Sequence, residues 1–118
     1  MSNNVVLDKT YNFSLKIISL CKLLNSHSEY VLSKQLLKSG TSIGANAEEA
    51  IGGFSKKDFI AKLSISYKEA RETHYWLRLL RDADIIDSDL AKVYINDCDE
   101  ILRIIYSIIK SSRQSLNY

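Results

Sequence analysis

Lys57, Lys68, Arg71, Tyr75 and Arg78, with Ser64 among them, fall on one side of a helix drawn at about 3.6 residues per turn. Cations fixed at helical spacing can follow a row of phosphates, and an aromatic ring among them can stack on a base. The same stripe also suits a plain solvated helix face. Groups that make or break bonds are scarcer. The two histidines, His27 and His74, fall in different segments, and no Glu-x-x-His occurs. The carboxylate–imidazole set of a bundle-core metal oxidase is therefore missing. Cys21 and Cys98 lie far apart without a CxxC, which predicts two buried, reduced thiols rather than a disulfide or a zinc site. No Ser-His-Asp or Cys-His arrangement can be assembled either. The run Ser39–Gly53, SGTSIGANAEEAIGG, holds all four glycines but lacks the Gly-Lys-Ser/Thr ending of a phosphate-binding loop. The expectation is a protein that is not an enzyme and that uses no cofactor, metal or small-molecule substrate.

These residues must be positioned by helices, because only helical periodicity runs through the chain. The first helix is predicted over about 8–25 and carries two apolar rows, Leu7, Tyr11, Leu15, Ile18 and Phe13, Ile17, Leu20, Leu24. Together they are wider than one core-facing stripe. The second is predicted over about 29–51. Its row Leu32, Leu36, Ile43, Ala47, Ala50 passes through the glycine run without losing register, as a linker would not. Gly40 and Gly44, beside Ser39, Ser42 and Ala47, would thin this helix so that another axis can approach. Close packing would have to offset roughly 1 kcal/mol per glycine. Gly52-Gly53 reads as its C-terminal stop.

The third helix, about 55–82, opens with Ser55 as cap and Asp58 completing a box-like pair. Phe59, Leu63, Tyr67, Ala70, His74 and Leu77 make its core side, with His74 a satisfied core histidine. The basic stripe makes a second side. Ile65, Trp76, Leu79 and Leu80, interleaved with Glu69 and Glu72, make a third. An apolar row containing the only tryptophan is covered either by a neighbouring helix or by another subunit. Ile65, Glu69, Glu72, Trp76 and Leu79 are the candidate subunit interface. The fourth helix, about 88–112, shows Leu90, Val93, Tyr94, Asp97, Ile101, Ile104, Ile105, Ile108 and Ile109 on a broad apolar face, and the polar tail 111–118 is expected to fray. Four long helices with short connections predict an all-α, antiparallel up-and-down four-helix bundle, one domain over 1–118. The surplus apolar surface predicts a homo-oligomer.

The net charge of +2 is too small to indicate nucleic acid by itself. Its distribution says more: 55–81 is basic and 82–100 acidic. Either the two blocks pair across adjacent helices, or they form a two-signed docking surface. The N-terminal stretch has no basic region followed by an apolar run, and no apolar stretch approaches about 18 residues. A cytoplasmic protein with no membrane association is expected.

Ser42-Ile43-Gly44-Ala45-Asn46, Glu49-Ala50, Lys57-Asp58-Phe59 and the run Lys68 to Leu80, KEARETHYWLRLL, resemble the bacterial four helix bundle protein family, also called the 23S rRNA intervening-sequence protein family. The match is dense from Leu36 to Leu80. The resemblance implies a small bundle that assembles as a ring, typically a pentamer, encoded within large-subunit ribosomal RNA genes or elsewhere in bacterial genomes. A related branch is the accessory variability protein of diversity-generating retroelements, a basic pentamer that binds a reverse transcriptase and nucleic acid. The partners implied are further copies of the chain and RNA, DNA or a nucleic-acid enzyme. The family brings no catalytic residues. It does bring the motif residues, Asn46 and Glu49 on the second helix and Glu69, Glu72, Tyr75 and Trp76 on the third; Asn46 and Glu49 are a polar pair expected beside the glycine-thinned surface, where it would set bundle register or subunit orientation or simply face solvent.

Overall fold

Nothing in this proline-free sequence forces a helix to break, and a computed structural model describes four of them. They are α1 (Ser2–Ser26), α2 (Tyr30–Ile51), α3 (Lys56–Asp82) and α4 (Ser88–Leu116). The backbone is described for residues 2–116 and the side chains for 5–116. The end of the predicted tail, Asn117 and Tyr118, lies outside the described residues. Among those residues there is no strand. Each helix packs on its neighbours in sequence, and a lighter contact between α1 and α4 closes the bundle, 51 × 21 × 20 Å overall. This is the all-α up-and-down bundle expected. Its ends differ from the expected ones: α1 begins at Ser2 rather than near Asp8, and α4 continues to Leu116 where fraying was expected.

The connections are short and chemically explicit. Ser28 (φ 63°) and Asp84 (φ 58°) take the left-handed conformation that turns the chain after α1 and α3. The Ser55 hydroxyl accepts from the Asp58 N–H at 3.1 Å and caps α3. α2 stops at Ile51 as expected, but Gly52 keeps a right-handed φ of −82°, so the stop is not a left-handed glycine cap.

α3 fills the core with Leu63, Ser66, Ala70, Thr73, Leu77 and Leu80, the alternating three- and four-residue spacing of a bundle seam. This corrects the sequence reading in two ways. Leu80, placed on the outer apolar side, is fully buried, while Phe59, Tyr67 and His74, placed in the core, are only half-buried. The seam runs through small hydroxyl residues that a search for large apolar side chains passes over. Their polar atoms are satisfied. Ser66 Oγ donates to the Ile43 carbonyl at 2.6 Å, and Thr73 Oγ1 donates to Ser39 Oγ at 2.9 Å, so among the described residues burial leaves no orphaned side-chain group.

Gly40 and Gly44 face α1. A Cβ on Gly40 would stand 2.8 Å from Ile17 Cγ2, and one on Gly44 would stand 3.3 Å from the Thr10 carbonyl oxygen. Ile17 is buried against this surface, and the rest of its row on α1, Phe13, Leu20 and Leu24, is buried in the core. The other is not: Tyr11, Leu15 and Ile18 remain exposed.

Candidate nucleic-acid interface

The outer side of α3 carries Lys57, Lys68, Arg71, Tyr75 and Arg78, all exposed. From Lys57 to Arg78 the stripe runs for ~32 Å at the helical rise. Among the described residues none of its four cations makes an ion pair. The neighbouring acidic block is not spent on them. Asp97 pairs with Lys16, and Glu100 pairs with Lys9 at 3.1 Å, both across the α1–α4 seam. Asp99 alone turns to α3, where its Oδ1 lies 2.9 Å from His74 Nε2. Pairing between the basic and acidic blocks is thus confined to this contact and to the adjacent Arg81–Asp82 bond at 2.8 Å. That bond first, and the charge of Arg78 last, hold the Asp82 carboxyl below its usual range.

Tyr75 stands half-exposed within the stripe. The Arg78 guanidinium lies 5.8 Å from its ring centroid, and Trp76 meets it edge-on at 5.3 Å. Next to it, between α3 and α4, Arg71, Glu72, His74, Arg78, Asp99 and Leu102 line a solvent-open cavity of about 510 Å³. Among the described residues no group of three or more His, Cys, Asp or Glu is placed to hold a metal ion.

The model of the 23S rRNA-intervening sequence protein family matches residues 2–107. The chain belongs to this family. It is also similar to a crystal structure of a protein of unknown function from the S23 ribosomal protein family of Bacteroides thetaiotaomicron. That protein is 49% identical, with a TM-score of 0.90 over 93% of this chain and 99% of the other. No curated protein matches the chain.

In this member of the 23S rRNA-intervening sequence protein family, the candidate interface residues divide. Ile65 and Leu79 are exposed, but Trp76 is half-buried against the core and donates its Nε1–H to Glu72 at 3.1 Å. Glu69 is half-buried beside them. Burial first, and the nearby Glu72 charge second, raise its carboxyl pKa, while Lys38 acts the other way. Asn46 and Glu49 are not beside the glycines. Asn46 Nδ2 donates back to the Ser42 carbonyl at 2.9 Å, and Glu49 pairs with Lys62 of α3 at 3.0 Å, whereas the glycines face α1. At about 100° per residue the pair and the glycines occupy opposite flanks of α2.

Two features went unassigned in the sequence. Asp99 and Leu102 complete the α3–α4 cavity, and no sequence signal marked them. Tyr11, Leu15 and Ile18 form, with Thr41, Ala45 and Glu48, an apolar groove of about 380 Å³ between α1 and α2. The spare apolar row of the first helix was its signal. The described residues contain no helix long and apolar enough to cross a membrane.

Proposed function

We propose that this chain is a non-enzymatic, homo-oligomeric bundle module, a ring of about five subunits, acting in the cytoplasm and binding nucleic acid or a nucleic-acid-processing partner through the outer side of α3. The observation that carries this reading is the absence, among the described residues, of ion pairs on Lys57, Lys68, Arg71 and Arg78, while Asp97 and Glu100 of the acidic block pair with α1 instead. Unneutralised cations around a half-exposed tyrosine suit a phosphate backbone with a base stacked beside it. A ring would repeat the stripe once per subunit, so weak contacts would add by avidity. The exposed Ile65 and Leu79 with the half-buried Trp76 supply a surface for self-association, and a partner's cation there would relieve the Glu69–Glu72 repulsion.

Fluorescence anisotropy with labelled RNA and DNA oligonucleotides, at low and moderate salt, tests the stripe. Reversing charge at Lys68, Arg71 and Arg78 together is expected to abolish binding; unchanged binding would sink the assignment. Light scattering on a sizing column tests the assembly. Wild type is expected near five subunits and Trp76→Ala in smaller species, whereas a monomeric wild type ends the ring reading. The alternative, a purely structural or protein-interaction assembly, draws on the apolar α1–α2 groove. A partner protein retained after nuclease treatment would favour it.

A further inference from the structure

We propose that the cavity between α3 and α4 is a nucleotide-phosphate site, in which Arg71 and Arg78 clamp the phosphate and Leu102 supports the sugar. The proposal rests on the reading of α3 as a nucleic-acid face and narrows it from a diffuse stripe to one built position.

The hydrogen-bond inventory of the cavity points to an anion. Its two carboxylates already have donors: Glu72 accepts from Trp76 Nε1 at 3.1 Å, and Asp99 is held by His74 Nε2 at 2.9 Å. Its two guanidiniums are largely open. Arg78 uses Nε on the His74 carbonyl at 3.4 Å, which leaves both terminal amino groups. Arg71 makes no side-chain hydrogen bond or ion pair among the described residues. Two open forked donors on one edge of the cavity suit an acceptor-rich anion kept clear of the Glu72 and Asp99 carboxylates, and arginine forks match phosphate oxygens in pairs.

Size and lining extend the ligand beyond phosphate. About 510 Å³ falls within the ~300–1,000 Å³ of small-molecule sites and exceeds what a phosphate group fills. Leu102 offers an apolar contact within the cavity, and the exposed Tyr75, one of whose neighbours is the Arg78 guanidinium, lies on the same helix outside the lining. Asp99 limits the arrangement. Its charge would repel a phosphate placed against His74, so the anion belongs on the Arg71–Arg78 edge.

The test is an NMR titration of the labelled full chain with uridine monophosphate and, separately, with inorganic phosphate. The nucleotide is expected to shift the Arg71 and Arg78 Nε–H signals and the Leu102 methyls together, with one Kd. Phosphate alone is expected to shift only the arginine signals, at least tenfold more weakly. Equal affinity for the two, no shifts, or shifts spread evenly to Lys57 and Lys68 would overturn the site. Arg71→Lys and Arg78→Lys keep the charge but remove the fork; each is expected to weaken nucleotide binding about tenfold, and unchanged Kd values would also overturn it. The two readings can fail separately. Oligonucleotide binding that depends on the stripe, without perturbation of the cavity, removes the site and leaves the stripe. Nucleotide saturation of the cavity without oligonucleotide binding supports the site and removes the nucleic-acid reading.

Discussion

Gly40→Ala separates a glycine that packs from one that merely weakens a helix. Alanine is favoured over glycine by about 1 kcal/mol in a helix interior, so a glycine with open space should be improved by the change. Gly40 has no such space: the new Cβ would meet Ile17 Cγ2 at 2.8 Å, Cγ1 at 2.9 Å and Cδ1 at 3.2 Å. Ile17 is fully buried and β-branched on a helix, with one favoured χ1, so it cannot swing clear without moving α1. Overpacking of this kind costs about 1–3 kcal/mol, and the net expectation is a loss of about 1 kcal/mol. Gly44→Ala meets the Thr10 carbonyl oxygen at 3.3 Å and Ser14 Oγ at 3.4 Å. A shift of a few tenths of an ångström suffices there, and propensity should bring the net change to about zero. Ile17→Ala alone should cost about 2–5 kcal/mol. It also removes the atoms that clash, so Gly40→Ala in that background should recover about 1 kcal/mol or more of coupling. Urea unfolding followed by circular dichroism, at one protein concentration, measures all four corners of the cycle. A Gly40→Ala variant stabilised by the full propensity gain would refute the close-packing argument. So would a cycle that adds to within about 0.5 kcal/mol.

Two further predictions concern pH. Burial first, then the Asp99 and Asp97 charges, push the Cys98 thiol up to about 12 from its ordinary value of 9.0. Between those values the folded chain keeps a proton that the unfolded chain releases. Cys98 should therefore remove about 1.4 kcal/mol of stability per pH unit in that window, and Cys98→Ala should flatten the alkaline decline by that slope; parallel curves would contradict it. The carboxyl of Glu69 also titrates above its ordinary value of 4.5, because burial and then Glu72 disfavour its charge. Its protonated form is the one that suits the fold, so its contribution is present below that value and lost as pH rises through the raised one. Glu69→Gln should stabilise at pH 7 by up to about 0.5 kcal/mol and lose that advantage in acid; a destabilised variant at pH 7 would show that the carboxylate has a partner.

Helix number and order were legible because they depend on apolar periodicity, which proline-free segments display without interruption. The glycine run was legible for the same reason: Leu36, Ile43, Ala47 and Ala50 keep register through it and are buried together. Facial detail on α3 was not. Leu63, Leu77 and Leu80 share a seam with Ser66 and Thr73, whose hydroxyls bond to α2, and a hydroxyl that bonds in the core has the same letter as one in water. The stripe of cations could be read from spacing alone, but whether each was neutralised could not. Likewise Asn46 and Glu49 are four-helix-bundle residues whose neighbours depend on which flank of α2 meets which helix.

That dependence explains why the basic and acidic blocks, adjacent in sequence, pair so little with each other. An up-and-down bundle places α4 between α3 and α1, so its carboxylates can turn either way. Two contacts fix the direction. The Cys98 thiol lies 3.3 Å from the Ala70 carbonyl, and the Tyr94 hydroxyl donates to the Lys16 carbonyl at 2.8 Å. With those two positions set, Asp97 and Glu100 fall on the α1 side and only Asp99 on the α3 side. A rotation of α4 by one residue, about 100°, would move these carboxylates off their α1 partners and take Cys98 out of the core. The open charge on α3 is therefore a consequence of how the α4 core face is seated.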